Sequence, residues 1–125
     1  MDKDSAYNFC THWLAAWTGN DPDKLMKFYA MDAYYLDPAN PKGLNGSSEI
    51  FPYFRKLLAR NPDWKWDSEE IFSTLSGFVL KWRAVIPTSS GTIQIKGLDI
   101  VEIREELITR NEVYFDRLPL QNPNK

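Results

Sequence analysis

The chain has 125 residues, 43% hydrophobic and 26% charged, the balance of one globular domain rather than a disordered segment. A net charge of −2 gives no basic footprint for nucleic acid, and one cysteine with one histidine excludes an intrachain disulfide and a histidine-rich metal site. Apolar runs fall far short of the roughly 20 residues of a membrane span, and Met1-Asp2-Lys3-Asp4 leads into a helical pattern without a signal peptide, so a cytoplasmic location is expected.

Phe9, Cys10, Trp13, Leu14 and Trp17 recur at helical spacing and predict a helix over 6–17, ended by Gly19. Asp21-Pro22 is a helix start, with Asp as cap and Pro at the first position. That second helix is expected to reach about Tyr29, with Leu25, Phe28 and Tyr29 inward. Residues 33–37 read as a short strand stopped by Pro38, and 38–46 are dense in turn residues and read as a loop. Ser47 or Ser48 can cap a third helix through about Asn61, with Pro52 in its first turn. The period then changes to two. Strands are predicted over 64–72, 77–86, 92–104 and 107–116, joined by turns of hairpin length. A tail over 118–125 follows. The pattern predicts one α+β domain over 1–125, with three N-terminal helices packed on a strongly curved, mainly antiparallel sheet.

Alternation picks out the residues with chemistry. Ile93, Ile95, Gly97, Asp99, Val101 and Ile103 share a face that is apolar apart from Asp99. A buried carboxylate needs hydrogen bonds or a proton. Asp99 is therefore either a neutral donor at pH 7 in a functional site or a structural acceptor of backbone or Trp N–H bonds. In the last strand Leu107, Thr109, Asn111, Val113 and Phe115 face inward, opposite Ile108, Arg110, Glu112, Tyr114 and Asp116. Asn111 then orients a ligand or satisfies a neighbour's backbone. Phe78, Leu80, Trp82, Ala84 and Ile86 form an apolar face in which Trp82 is core or pocket wall. Asp37, at the end of its strand before Pro38, is a turn former or a second working carboxylate. His12 lies at the edge of its helix stripe, and Cys10 reads as a buried small hydrophobe. Trp64-Lys65-Trp66 is a weak nucleic-acid signal. Val79, Val85, Leu98, Ile100, Ile108 and Tyr114 leave the opposite sheet face unusually apolar, as a homodimer interface would. No P-loop, G-x-S-x-G, G-x-G-x-x-G or H-E-x-x-H is present.

The element order combines with several local blocks: Gly19-Asn20-Asp21, Phe28-Tyr29-Ala30-Met31-Asp32-Ala33, Leu36-Asp37-Pro38 and Gly46. Gly97-Leu98-Asp99-Ile100-Val101 and the run from Leu107 to Asp116 complete the set. Together these resemble the nuclear-transport-factor-2-like, cystatin-like superfamily, and within it the SnoaL-like polyketide cyclases and ketosteroid isomerases. The resemblance implies a cone-shaped fold. It implies that Asp37 stands at the isomerase general base. It sets Asp99 at the carboxylic acid that donates to the dienolate oxygen, close to the catalytic aspartate of the cyclases. Tyr29 stands at a tyrosine supporting the oxyanion hole, and Tyr53 and Phe115 at aromatic pocket positions. Trp13 departs from the pattern: it holds the place of the principal oxyanion tyrosine, with an N–H that can only donate. Trp17, Trp82, Val101, Asn111 and Val113 complete the expected pocket. The implied activity is that of a cofactor-independent isomerase, cyclase or lyase acting on a small hydrophobic carbonyl compound. The implied assembly is a homodimer through the outer sheet face. The fold equally serves as a non-catalytic module for hydrophobic ligands or dimerisation. No metal, organic cofactor, nucleic acid or membrane partner is expected.

Overall fold

Caps decide where the chain turns helical in the computed structural model, which describes residues 1–121. Asp2 accepts from the Ser5 amide and starts α1 (Lys3–Ala15) one turn earlier than periodicity alone predicts. Asp21 caps α2 (Pro22–Met26) through the Lys24 amide. In α3 (Ser47–Arg60) the N-cap is Gly46 at φ 78°, in place of the expected serine. Pro52 lies in the second turn of α3, not the first, so the Ser48 carbonyl has no helical donor.

The strands are β1 (Tyr29–Asp37), β2 (Asn40–Asn45), β3 (Lys65–Ser73), β4 (Gly77–Thr88), β5 (Gly91–Arg104) and β6 (Leu107–Phe115). They form one sheet in the order β2-β1-β6-β5-β4-β3. Every neighbouring pair is antiparallel except β1 and β6, which run parallel. Register shifts in four of those pairs bend the sheet. The hairpin meander holds from β3 to β6.

Several further expectations need correction. The segment 38–46 is not a free loop, because β2 pairs with β1. An edge strand leaves one row of N–H groups unpaired, so Pro41 is tolerated there. Three helices do not precede the sheet: α1 is the one long N-terminal helix, α2 spans five residues, and α3 follows β1 and β2. Tyr29 opens β1 instead of closing α2. Ile108 is fully buried and not on the outer face, because a register shift between Glu102 and Ile103 turns it over. The start of the expected tail forms a short helix, α4 (Leu118–Gln121), and 122–125 lie outside the described residues.

The helices cover the concave face, with α1 against β3 and β4 and α3 against β1 and β2. Phe54 sits fully buried between them, its ring 5.1 Å from Trp17 and 5.2 Å from both Tyr29 and Tyr35. Among the described residues no helix is long and apolar enough to cross a membrane.

Candidate functional site

The alternation of β5 turns Asp99 onto the concave face, where it is 5% exposed. The strands on either side supply its partners. Trp82 on β4 donates Nε1–H to Oδ1 at 2.6 Å, and Asn111 on β6 donates Nδ2–H to Oδ2 at 2.9 Å. Burial pushes the Asp99 carboxyl up to about 7; the bonds from Asn111 and Trp82 oppose the shift, and the charge of Asp37 adds to it.

Asp37 ends β1 in a different setting. Its Oδ1 accepts from the Ala39 amide at 3.0 Å and from the Asn40 amide and Nδ2, both at 2.9 Å. Its Oδ2 accepts from the Tyr35 hydroxyl at 2.8 Å and from the Tyr53 hydroxyl. The first set closes the tight turn into β2. The second holds two rings in place, and burial raises both hydroxyls well above the ordinary tyrosine value.

Both carboxylates line a cavity of about 210 Å³ between sheet and helices. So do six of the expected pocket residues: Trp13, Trp17, Tyr53, Trp82, Val113 and Phe115. Tyr29, Val101 and Asn111 do not reach it; they are buried behind its wall. The Trp13 ring faces the cavity, but its N–H donates to the Tyr29 hydroxyl at 3.2 Å and is not free for a ligand.

Sequence reasoning missed several lining residues. All five tryptophans of the chain line the cavity, Trp64 and Trp66 among them. Alternation sets that pair on one face, but Ser68 and Glu70 continue it, so no apolar stripe marks the two rings as lining. Tyr35 was within reach: it lies two residues before Asp37 and so on the same face. Leu14 and Leu57 come from the helices, Leu80, Ala84, Ile86 and Ile95 from the sheet. Arg117 stands at the cavity with Nη1 donating to the Pro38 carbonyl at 3.1 Å, beside Ala39 and Leu120. The result is an aromatic chamber for a small apolar molecule, with one carboxylate crowded by donors and one with lone pairs to spare.

Gly97, facing both Trp82 and Phe115 across the ladders, sets how close Trp82 lies. A Cβ there would come within 2.2 Å of the Trp82 ring. Gly97→Ala is expected to push the indole away from Asp99 and to destabilise by about 1–3 kcal/mol. Thermal unfolding checks it; an unchanged midpoint contradicts the contact.

The SnoaL-like domain family matches residues 10–111. No curated protein matches the chain. A SnoaL-like protein from Burkholderia thailandensis superposes with a TM-score of 0.77 at 19% identity, over 93% of this chain and 98% of that one. A protein with a ketosteroid isomerase-like fold from Catenulispora acidiphila, in complex with trimethylamine, gives 0.75 at 21% identity over 86% and 85%. AclR from Streptomyces galilaeus gives 0.80 at 11% identity over 98% and 96%. At these identities the likeness is one of fold.

Proposed function

The chain belongs to the SnoaL-like domain family, and from that premise we propose a cofactor-independent acid/base enzyme, of the isomerase or cyclase kind, for a small hydrophobic carbonyl compound. The observation that supports this best is the setting of Asp99, buried among mainly apolar and aromatic walls and pushed up to about 7. A group that titrates near working pH can both give and take a proton. In its acid form Asp99 donates to the carbonyl oxygen. As carboxylate it takes the proton from the neighbouring carbon, and as the acid so formed it hands that proton on to the enolate oxygen or to another carbon of the substrate. Asp37 is moved out of the base role that the resemblance assigns to it. Two carboxylate oxygens offer roughly four lone-pair sites, and five donors already occupy them. Asp37 instead positions Tyr35 and Tyr53.

One observation favours a second reading, a binding module for a hydrophobic ammonium ion. Eight aromatic side chains line the cavity with the two carboxylates, a setting that attracts cations, and the Catenulispora relative is in complex with trimethylamine. The pH dependence separates the two. A carbonyl ligand uses protonated Asp99 and binds more tightly below about 7; an ammonium pairs with the carboxylate and binds more tightly above it. Because all five tryptophans line the cavity, intrinsic fluorescence reports occupancy. A panel of enolisable ketones and of alkylamines is titrated at both pH values. Turnover of a ketone, with binding that weakens as pH rises, supports the enzyme. Amine binding that strengthens with pH, without turnover of any ketone, supports the module.

A further inference from the structure

We infer that Trp13, Tyr29 and Asn111 form a one-way hydrogen-bond chain that turns the proton of Asp99 toward the cavity. The group with least freedom sets the direction. An indole N–H can donate and cannot accept. Trp13 Nε1 lies 3.2 Å from the Tyr29 hydroxyl, so that oxygen is the acceptor there. The single hydroxyl proton of Tyr29 then goes to its other partner, Asn111 Oδ1 at 2.8 Å. With its oxygen so fixed, the Asn111 amide presents Nδ2 to Asp99 Oδ2 at 2.9 Å. On the far side Trp82, another pure donor, faces Oδ1 at 2.6 Å. Each wall-side contact of Asp99 is therefore a donor. When Asp99 carries a proton, no acceptor waits for it in the wall, and the O–H points into the cavity.

Trp13, Tyr29 and Asn111 are thus positioning residues. Their catalytic meaning rests on the proposed acid/base role of Asp99, whereas the polarity of the chain rests on the geometry alone. The tryptophan at position 13 gains a physical reason. A tyrosine hydroxyl there could donate or accept, and the chain could run either way; an indole fixes its direction. The titratable groups near Asp99 are Tyr29, Tyr35 and Asp37 on β1 and Cys10 on α1, whose thiol burial pushes up to about 12.

The test needs no substrate, so its failure is distinct from failure of the proposed reaction. The Asp99 carboxyl is titrated by carbon NMR in Tyr29→Phe and Asn111→Leu. Asn111→Leu deletes a donor that favours the carboxylate. Tyr29→Phe frees the amide to turn and offer Oδ1 to the acid. Both are expected to raise the midpoint by about one pH unit, and Trp13→Phe to raise it less. Val101→Ala, in the buried core behind the cavity, should lower the melting temperature and leave the midpoint where it is. A folded Tyr29→Phe protein with an unmoved midpoint overturns the inference. In the unaltered protein the Asn111 Nδ2 resonance should follow the Asp99 titration, whether or not the variants fold. A resonance flat from about pH 5 to 9 overturns the inference as well.

Discussion

Replacing Asp99 with Asn is expected to lower turnover of a true substrate by at least about 100-fold, the scale of a lost general acid/base. The variant loses the transferable proton and also fits poorly. Trp82 and Asn111 both donate, so an amide at position 99 satisfies one of them and sets its own NH₂ against the other. Stability changes in a pH-dependent way. The carboxyl is raised from 3.8 to about 7 by folding, so between those values the folded state holds a proton that the unfolded state has released. The wild type therefore loses stability as pH climbs from about 4 to about 7 and is level above; the Asn variant lacks that slope. Relative to the variant, the wild type should weaken by roughly 3 kcal/mol between pH 5 and 8 in urea unfolding. Parallel curves contradict a proton held on Asp99.

Asp37→Ala is expected to remove about 3–5 kcal/mol, a large share of the roughly 5–15 kcal/mol that keeps a domain folded. It leaves the Tyr35 and Tyr53 hydroxyls, two turn amides and the Asn40 side chain without their acceptor. Asp37→Asn keeps one acceptor oxygen and should be milder. Its turnover is expected to stay within about tenfold of wild type, since Asp37 carries no substrate proton in this mechanism. Loss of turnover in a stable Asp37→Asn protein would return the base role to Asp37. Urea unfolding and turnover, measured on the same preparations, separate these results.

How much of this was legible follows from the physics of each signal. Period-two alternation put Asp99 inside because β5 is long and unbroken at that point, and it turned Asn111 inward because the charged Arg110 and Glu112 take the other face of β6. It failed at Ile108, where a one-residue register shift inverts the face, a feature no period reveals. Turn chemistry described 38–46 locally but not its pairing. Whether Asn40 to Asn45 sits on an edge depends on β1, and so on contacts distant from its own residues. The parallel pairing of β1 with β6 was hidden likewise, since it joins residues as distant in the chain as Tyr29 and Ile108. The resemblance gave roles to Asp37 and Asp99, which position in their strands had already singled out, and brought Trp13 and Tyr29 into the site. It could not say that Asp37 accepts five hydrogen bonds or that Trp13 points its N–H at Tyr29, because both depend on side-chain geometry. The high tryptophan content was visible from the start; that all five rings converge on one cavity was not.

The most direct measurement is the titration of the Asp99 carboxyl by carbon NMR in the unaltered protein, with Asp99→Asn to assign the resonance. A midpoint near 7 is expected, with the acid and the carboxylate both populated at working pH. A midpoint below about 4 contradicts proton transfer by Asp99 and leaves it a structural anion held by Trp82 and Asn111.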